Sequence, residues 1–140
     1  MNKEKLITAI IEKAKDGGYG IYCPEIQGVA LYGYGLTEEE AKENLCENLE
    51  SILDYYRDEN EPVPNILNNG KIHFEYKYDF SGFFKACPFF NVSELANEIG
   101  INPSLMRKYK NGLVYASKEQ RQKIESGIYT ISKKLSTVHF

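Results

Sequence analysis

The chain has 140 residues, of which 42% are hydrophobic, and its 17 Lys and Arg against 20 Asp and Glu give a formal net charge of −3 at pH 7. This apolar content excludes global disorder, and the length suits one domain or two small ones. No run of about 18 apolar residues occurs, the amino terminus lacks a signal-peptide cleavage pattern, and the three cysteines are scattered without a CxxC pair. We therefore expect a cytoplasmic protein with no membrane segment, disulfide framework, metal or cofactor.

The first elements in chain order predict a small antiparallel sheet. Residues 6–15 are rich in β-branched side chains and end at a DGG turn at residues 16–18. Residues 19–23 are predicted to return as the second strand. Residues 28–32 are predicted to form the third.

A helix is predicted after these strands. Gly33 and Gly35 are expected to break the sheet, and the run TEEE at residues 37–40 is a capping box that opens a helix reaching about residue 57. The outer face of this helix is acidic, since residues 37–61 hold ten Asp or Glu and two Lys or Arg. Its inner stripe is predicted to bury Ala41, Leu45, Leu49, Ile52, Leu53 and Tyr56.

A further strand is predicted over residues 71–79, where apolar and charged side chains alternate. Its apolar face consists of Ile72, Phe74, Tyr76 and Tyr78. Residues 1–79 are therefore predicted to form a βββαβ domain in a protein of the α+β class.

The twenty residues 92–111 carry the spacing of a helix-turn-helix. Gly100 permits a sharp turn between two short helices, and Asn102 followed by Pro103 is well suited to open the second helix. The inward positions are Leu95, Ala96, Ile99, Met106 and Tyr109. The candidate DNA-binding residues, which are polar or cationic and lie on the outward face or at the helix end, are Asn102, Ser104, Arg107, Lys108, Lys110 and Asn111.

The flanking residues strengthen this interpretation. Aromatic residues at 80, 83 and 84 with Cys87 fit a short preceding helix, and Ser117 opens a capping box before a helix with apolar positions Ile124, Ile128, Ile131 and Leu135. Residues 92–140 hold eight Lys or Arg and four Asp or Glu, whereas residues 1–91 hold nine and sixteen. Residues 80–140 therefore resemble an all-α Cro/repressor-type DNA-binding domain, although an ordinary helical corner gives a similar pattern.

Three runs in a fixed order carry a second resemblance. They are YCPEIQG at residues 22–28, GLTEEEA at residues 35–41, and Asn44-Leu45 with Leu49, followed by Val63-Pro64. Over about residues 6–79 this order resembles the HicB antitoxin family, many members of which carry a carboxy-terminal DNA-binding domain. The chain departs from the family pattern in its eleven tyrosines, in Cys23 and in residues 78–91.

The HicB resemblance implies a degraded ribonuclease-H-like half-fold. Such a protein binds and neutralises a small HicA-type toxin that cleaves mRNA, and its DNA-binding half represses its own operon. An RNA-binding toxin is basic, so the acidic helix is expected to steer its association, although simple solvation also explains that face. The candidate toxin-binding residues are Glu43, Glu47, Glu50 and Asp54. Recognition of two DNA half-sites predicts a homodimer or a higher homo-oligomer, joined through the last helix or the exposed edge of the sheet.

Two alternatives remain open. The first is a free-standing DNA-binding transcriptional regulator without a toxin. The second is a nuclease, which needs several carboxylates around two metal ions, whereas the first strand offers only Glu12 and Glu25 lies beyond the second. His73 is on the polar face of its strand and His139 is next to the terminus. We therefore expect no enzyme and assign no catalytic residue.

Overall fold

The computed structural model describes residues 4–67 and 70–140, with strands in the amino-terminal part and helices after them. Its α+β class agrees with the prediction. Backbone contacts separate the chain into two units, Met1–Lys77 and Tyr78–Phe140. The elements are β1 (Glu4–Lys13), β2 (Tyr19–Tyr22), β3 (Tyr32–Gly35), α1 (Glu38–Asp58), a short 3-10 turn (Asn65–Leu67), β4 (Lys71–Tyr78), α2 (Ser81–Ala86), α3 (Val92–Ile99), α4 (Pro103–Lys110) and α5 (Lys118–Ser136).

The first unit contains a four-stranded sheet in the order β3-β2-β1-β4. The pairs β1–β2 and β2–β3 are antiparallel, and the predicted turn at residues 16–18 joins the first pair. The backbone N–H of Gly18 donates to Asp16 Oδ1 at 3.0 Å and so stabilises this turn. The βββαβ order is confirmed, but β4 makes the sheet mixed where a wholly antiparallel one was expected. The core of this unit includes Ile7, Ala9, Ile10, Ile21 and Leu45.

The predicted third strand at residues 28–32 is wrong, because β3 begins at Tyr32 and residues 28–31 are bends and coil. Gly33 and Gly35 were expected to break the sheet, but both lie inside β3. A Cβ atom on Gly33 would lie 2.4 Å from the carbonyl oxygen of Ala41, and one on Gly35 would lie 2.5 Å from the Ala41 nitrogen. The two glycines therefore allow α1 to pack directly on the strand backbone.

The helix α1 begins as predicted. The backbone N–H of Glu40 donates to Thr37 Oγ1 at 3.1 Å, and the Glu40 carboxylate accepts from the Leu36 N–H at 3.0 Å. Of the six apolar positions predicted to be buried, the last three are only half-buried, namely Ile52, Leu53 and Tyr56. The reason is length, since a 21-residue helix spans about 32 Å and the four-residue strand β3 spans about 13 Å. The final turns of α1 extend past that strand.

The second unit is a group of helices around the turn between α3 and α4. Helix α4 contacts α2 and α3, and α3 also contacts α5. Tyr78 and Ala116 exchange two backbone hydrogen bonds of 2.8 Å, which close the loop between the start of this unit and α5. The buried apolar side chains of this unit are Tyr78, Phe84, Leu95, Ala96, Ile101, Met106, Tyr109, Ala116 and Ile124. Within the described residues, no helix is both long and apolar enough to span a bilayer.

Candidate functional site

The turn between α3 and α4 is defined by local capping contacts. Gly100 has a φ of +88°, and its N–H donates to the Ala96 carbonyl at 2.8 Å, which ends α3. Asn102 Oδ1 then accepts from the N–H groups of Ser104 at 2.8 Å and Leu105 at 3.3 Å, and so opens α4 with Pro103 at its first turn. The turn at Gly100 and the helix start at Asn102 are therefore confirmed as predicted.

The outward face of α4 is exposed along its whole length. All six candidate DNA-binding residues are exposed, whereas Met106 and Tyr109 on the opposite face have only 0% and 3% of their surface accessible. Asn102 has a more limited role than its position suggested, because its side-chain oxygen accepts the capping hydrogen bonds. The oxygen is therefore occupied as an acceptor, and the amide NH2 group is the part of this side chain that can contact DNA.

Arg107 is held by two serine hydroxyls. Its Nη1 donates to Ser93 Oγ at 2.9 Å and its Nη2 donates to Ser104 Oγ at 3.1 Å. The side chain thus reaches back from the middle of α4 towards the first turns of α4 and α3, the direction in which helical side chains tilt. Ser93 is not among the residues predicted from the sequence, because this contact joins two helices and has no characteristic spacing along the chain.

The lysines of the second unit have different roles. Lys108 and Lys110 are exposed in the last turn of α4, so they can contact phosphates. Lys123 of α5 instead donates to the Gly100 carbonyl at 2.8 Å, at the negative end of α3. The positive charge of Lys123 therefore stabilises the end of α3, and the cations on α4 itself are Arg107, Lys108 and Lys110.

The acidic residues of α1 form a single stripe. Glu43, Glu47, Glu50 and Asp54 follow the spacing i, i+4, i+7 and i+11, and all four are exposed. Asp54 lies 3.1 Å from Arg57 in an exposed ion pair, while Lys42 lies over the Tyr76 ring at 4.5 Å. The structure thus brings the four candidate toxin-binding residues together on one face.

The side of β3 away from β2 is covered by amide side chains of α1. The Tyr34 N–H donates to Asn44 Oδ1 at 2.9 Å, and Asn48 Nδ2 donates to the Tyr32 carbonyl at 2.7 Å. These bonds satisfy backbone groups that would otherwise pair with another strand. The Tyr34 hydroxyl donates to the Asp16 carboxylate, and this hydrogen bond lowers the pKa of Asp16 from its usual value of 3.8 and raises that of Tyr34.

The residues weighed for nuclease chemistry are dispersed. The Glu25 carboxylate accepts from the Thr8 N–H at 3.3 Å, and His73 Nε2 lies 3.2 Å from Glu4 Oε1. Across residues 4–67 and 70–140, no three His, Cys, Asp or Glu side chains lie close enough to share a metal ion. Burial raises the pKa of the Cys23 thiol to about 11.

The fold and site define an α+β protein in which a sheet-and-helix unit is followed by a helix-turn-helix unit. No protein-family profile matches the chain. Two UPF0150 proteins of Synechocystis are similar to it, one with 39% identity over 57 residues and the other with 48% over 48 residues. These matches cover 41% and 34% of this chain, and 70% and 64% of the respective relatives. The chain belongs to the UPF0150 family.

Proposed function

We propose that this protein is the antitoxin of a type II toxin-antitoxin system. In this proposal it binds and neutralises a HicA-type mRNA-cleaving toxin and represses its own operon by binding double-stranded DNA. The UPF0150 family includes HicB-like antitoxins, and the HicB resemblance of the first unit is followed in this chain by a helix-turn-helix. The observation that carries the DNA-binding part is the fully exposed polar and cationic face of α4, opposite a buried apolar face.

The DNA contact assigned to α4 has two parts. Ser104 lies at its amino-terminal end, where a recognition helix approaches base edges, and the Arg107 side chain reaches back towards that end from the middle of the helix. Lys110 and Asn111 lie at its carboxy-terminal end and are assigned to phosphates, with Lys108 between the two groups. This division predicts sequence preference from the first group and salt-dependent affinity from the second.

The toxin contact is assigned to the acidic stripe of α1. A toxin that binds mRNA carries a basic surface, and an acidic partner competes with RNA phosphates for it. Because the four carboxylates are exposed, they contribute more to association rate and specificity than to affinity. No catalytic activity is part of this proposal.

The contact between two copies of the chain is assigned to the distal part of α5. Ile124 is 2% exposed, whereas Leu135, on the same helical stripe, is 62% exposed, and Ile128 and Ile131 between them are half-buried. The apolar stripe therefore continues beyond the part of α5 that packs in its own unit. A homodimer formed there would present two α4 helices to two DNA half-sites.

The experiment begins with the reading frame adjacent to this gene. Expression of a small basic protein encoded there should arrest growth and degrade mRNA, and co-expression of this chain should prevent both effects. The purified pair should also form a complex in size-exclusion chromatography. If no neighbouring product is toxic or binds this chain, the antitoxin assignment fails, and retained binding to the upstream DNA would then favour a free-standing transcriptional regulator.

A further inference from the structure

The contact between Arg107 and two serines assigns a role to Ser93 on α3. A long arginine side chain on an exposed helix face ordinarily samples many rotamers, and ordering it on binding costs free energy. Here both terminal nitrogens of the guanidinium already donate to hydroxyl oxygens, at 2.9 Å to Ser93 and 3.1 Å to Ser104. The side chain is therefore held between the two helices before any partner binds.

The guanidinium of Arg107 has more N–H donors than the two serines use, so donors remain for a DNA base. A guanidinium has five N–H donors, and the serines accept two of them, so three remain. A bidentate contact with guanine O6 and N7 needs two donors on one edge of the guanidinium, and this part falls to Nε–H and the remaining N–H of Nη2. Each serine hydroxyl also keeps its own hydrogen, because it acts as an acceptor towards Arg107.

We propose that Ser93 is a positioning residue for base recognition, which together with Ser104 holds the Arg107 guanidinium in the orientation that contacts one guanine. This inference rests on the proposed DNA binding by α4. In this proposal α3 contributes to the recognition of a DNA base, in addition to packing against α4. Ser104 lies on α4 itself and can also touch DNA, whereas Ser93 acts through Arg107.

The test uses the full chain and duplexes selected from a random library by the wild-type protein. Each guanine of the selected duplex is replaced in turn by 7-deazaguanine, which lacks the N7 acceptor. The wild-type protein should lose affinity at one guanine in particular, and Arg107→Ala should be insensitive to that replacement. Ser93→Ala should reduce the discrimination at this guanine about threefold to tenfold, the range expected when one long side chain is no longer preordered.

Three controls separate positioning from general structural damage. Ser93→Thr keeps the hydroxyl and should retain discrimination, and Ser51→Ala on the exposed face of α1 should behave as wild type. In the Arg107→Ala background, Ser93→Ala should have no further effect, since the double-mutant cycle isolates the coupling between the two residues. The slope of affinity against salt should be the same for Ser93→Ala as for the wild type, because no phosphate contact is removed.

The outcomes distinguish this inference from the function on which it rests. If the wild-type protein selects no preferred duplex, the proposed DNA recognition fails. If the wild type selects a duplex and Ser93→Ala keeps full discrimination, or gains it, then DNA recognition stands and the positioning role is wrong. The positioning role is also wrong if Ser93→Ala reduces discrimination equally in the wild-type protein and in the Arg107→Ala variant.

Discussion

A Cβ atom on Gly33 would lie 2.4 Å from the carbonyl oxygen of Ala41, so the backbone of β3 and the first turn of α1 are in direct contact. Neighbouring atoms of Leu45 would lie within 2.9 Å of the same Cβ. No side chain larger than hydrogen fits between the strand and the helix. This contact places the amide groups of Asn44 and Asn48 against the edge of β3, and it leaves the acidic stripe of α1 facing solvent.

The first prediction concerns this close approach. Gly33→Ala should destabilise the first unit by about 3 kcal/mol, the upper part of the range for overpacking a tightly packed site, because the obstructing atoms are backbone. Gly20→Ala in β2 is the matched control, since its added Cβ would meet only the Glu12 side chain at 3.8 Å. Urea denaturation of both variants measures the difference. Equal stability of the two would show that the helix can move away from the strand at little cost.

The elements that were predicted correctly from the sequence are those that depend on interactions between residues close together in the chain. The capping residues Thr37, Asn102 and Ser117 each accept a backbone hydrogen bond at the start of a helix, and Gly100 takes the left-handed conformation that the turn required. The third strand was misplaced because Gly33 and Gly35 look like strand breakers in one dimension. Their actual role depends on a helix that approaches them in three dimensions, and no local pattern contains that information.

The candidate DNA-binding surface also combines features that local sequence predicts with a contact that depends on tertiary packing. Side-chain directions along α4 followed from helical spacing, so the exposed face was predictable. The contact from Arg107 to Ser93 was not, because it depends on how α3 and α4 cross. The burial of Ile101 in the turn was also missed, since a single apolar residue between two helices has no periodic partner.

The second prediction is a pH dependence in the hairpin. The pKa of Asp16 is lowered from 3.8, first by the hydrogen bond from Tyr34 and then by that from the Gly18 N–H. A lowered pKa in the folded state stabilises the protein above the unfolded value, and this contribution is lost as the pH falls through the folded value. The difference in stability between wild type and Tyr34→Phe should therefore be present at about pH 6 and shrink below the unfolded value of 3.8.

Denaturation curves at about pH 6 and below pH 3.8 measure the difference in stability between the wild type and Tyr34→Phe. Tyr32→Phe, on the same strand, is the control. A difference between wild type and Tyr34→Phe that stays constant from neutral to acid pH would mean that the carboxylate does not depend on Tyr34.

The third prediction concerns the acidic stripe. Reversing the charges of Glu43, Glu47, Glu50 and Asp54 to lysine should slow association with a purified cognate toxin and make the rate less sensitive to salt, while folding is retained. Stopped-flow association at low and high salt provides the measurement. Reversing four exposed acids that lie off this stripe, namely Glu59, Glu61, Glu75 and Glu98, makes the same change in net charge and is the control. An unchanged rate at both salt concentrations would make the stripe a solvated surface only.

The fourth prediction concerns self-association. Leu135→Glu should weaken the homodimer at least tenfold, because it places a charge in the apolar stripe of α5. Gln122→Glu adds the same charge at an exposed position on the other side of α5 and should leave the dimer intact. Sedimentation equilibrium over a range of concentrations compares the two. A wild-type chain that is monomeric at tens of micromolar, alone and on DNA, would contradict the proposal.

The fifth prediction separates base reading from phosphate binding on α4. Arg107→Ala should cost about 1–3 kcal/mol of binding and relax the preference at one base position. Lys110→Ala should weaken binding to all sequences alike and reduce the salt slope by about one unit. Lys110→Ala should leave thermal unfolding unchanged, and Arg107→Ala should lower the unfolding temperature only slightly, because the two hydrogen bonds that it removes are exposed to solvent.

Recognition of its own upstream DNA by the full chain tests the central claim most directly. Band-shift titrations with the promoter duplex and with an unrelated duplex of equal length, at about 50 and 200 mM salt, give affinity, preference and salt slope together. We expect the wild type to bind the promoter duplex more tightly than the unrelated duplex. Arg107→Ala should lose this preference, and Lys110→Ala should keep it. Equal affinity of the wild type for both duplexes, or wild-type behaviour of both variants, would contradict the claim and leave α4 as a packing element.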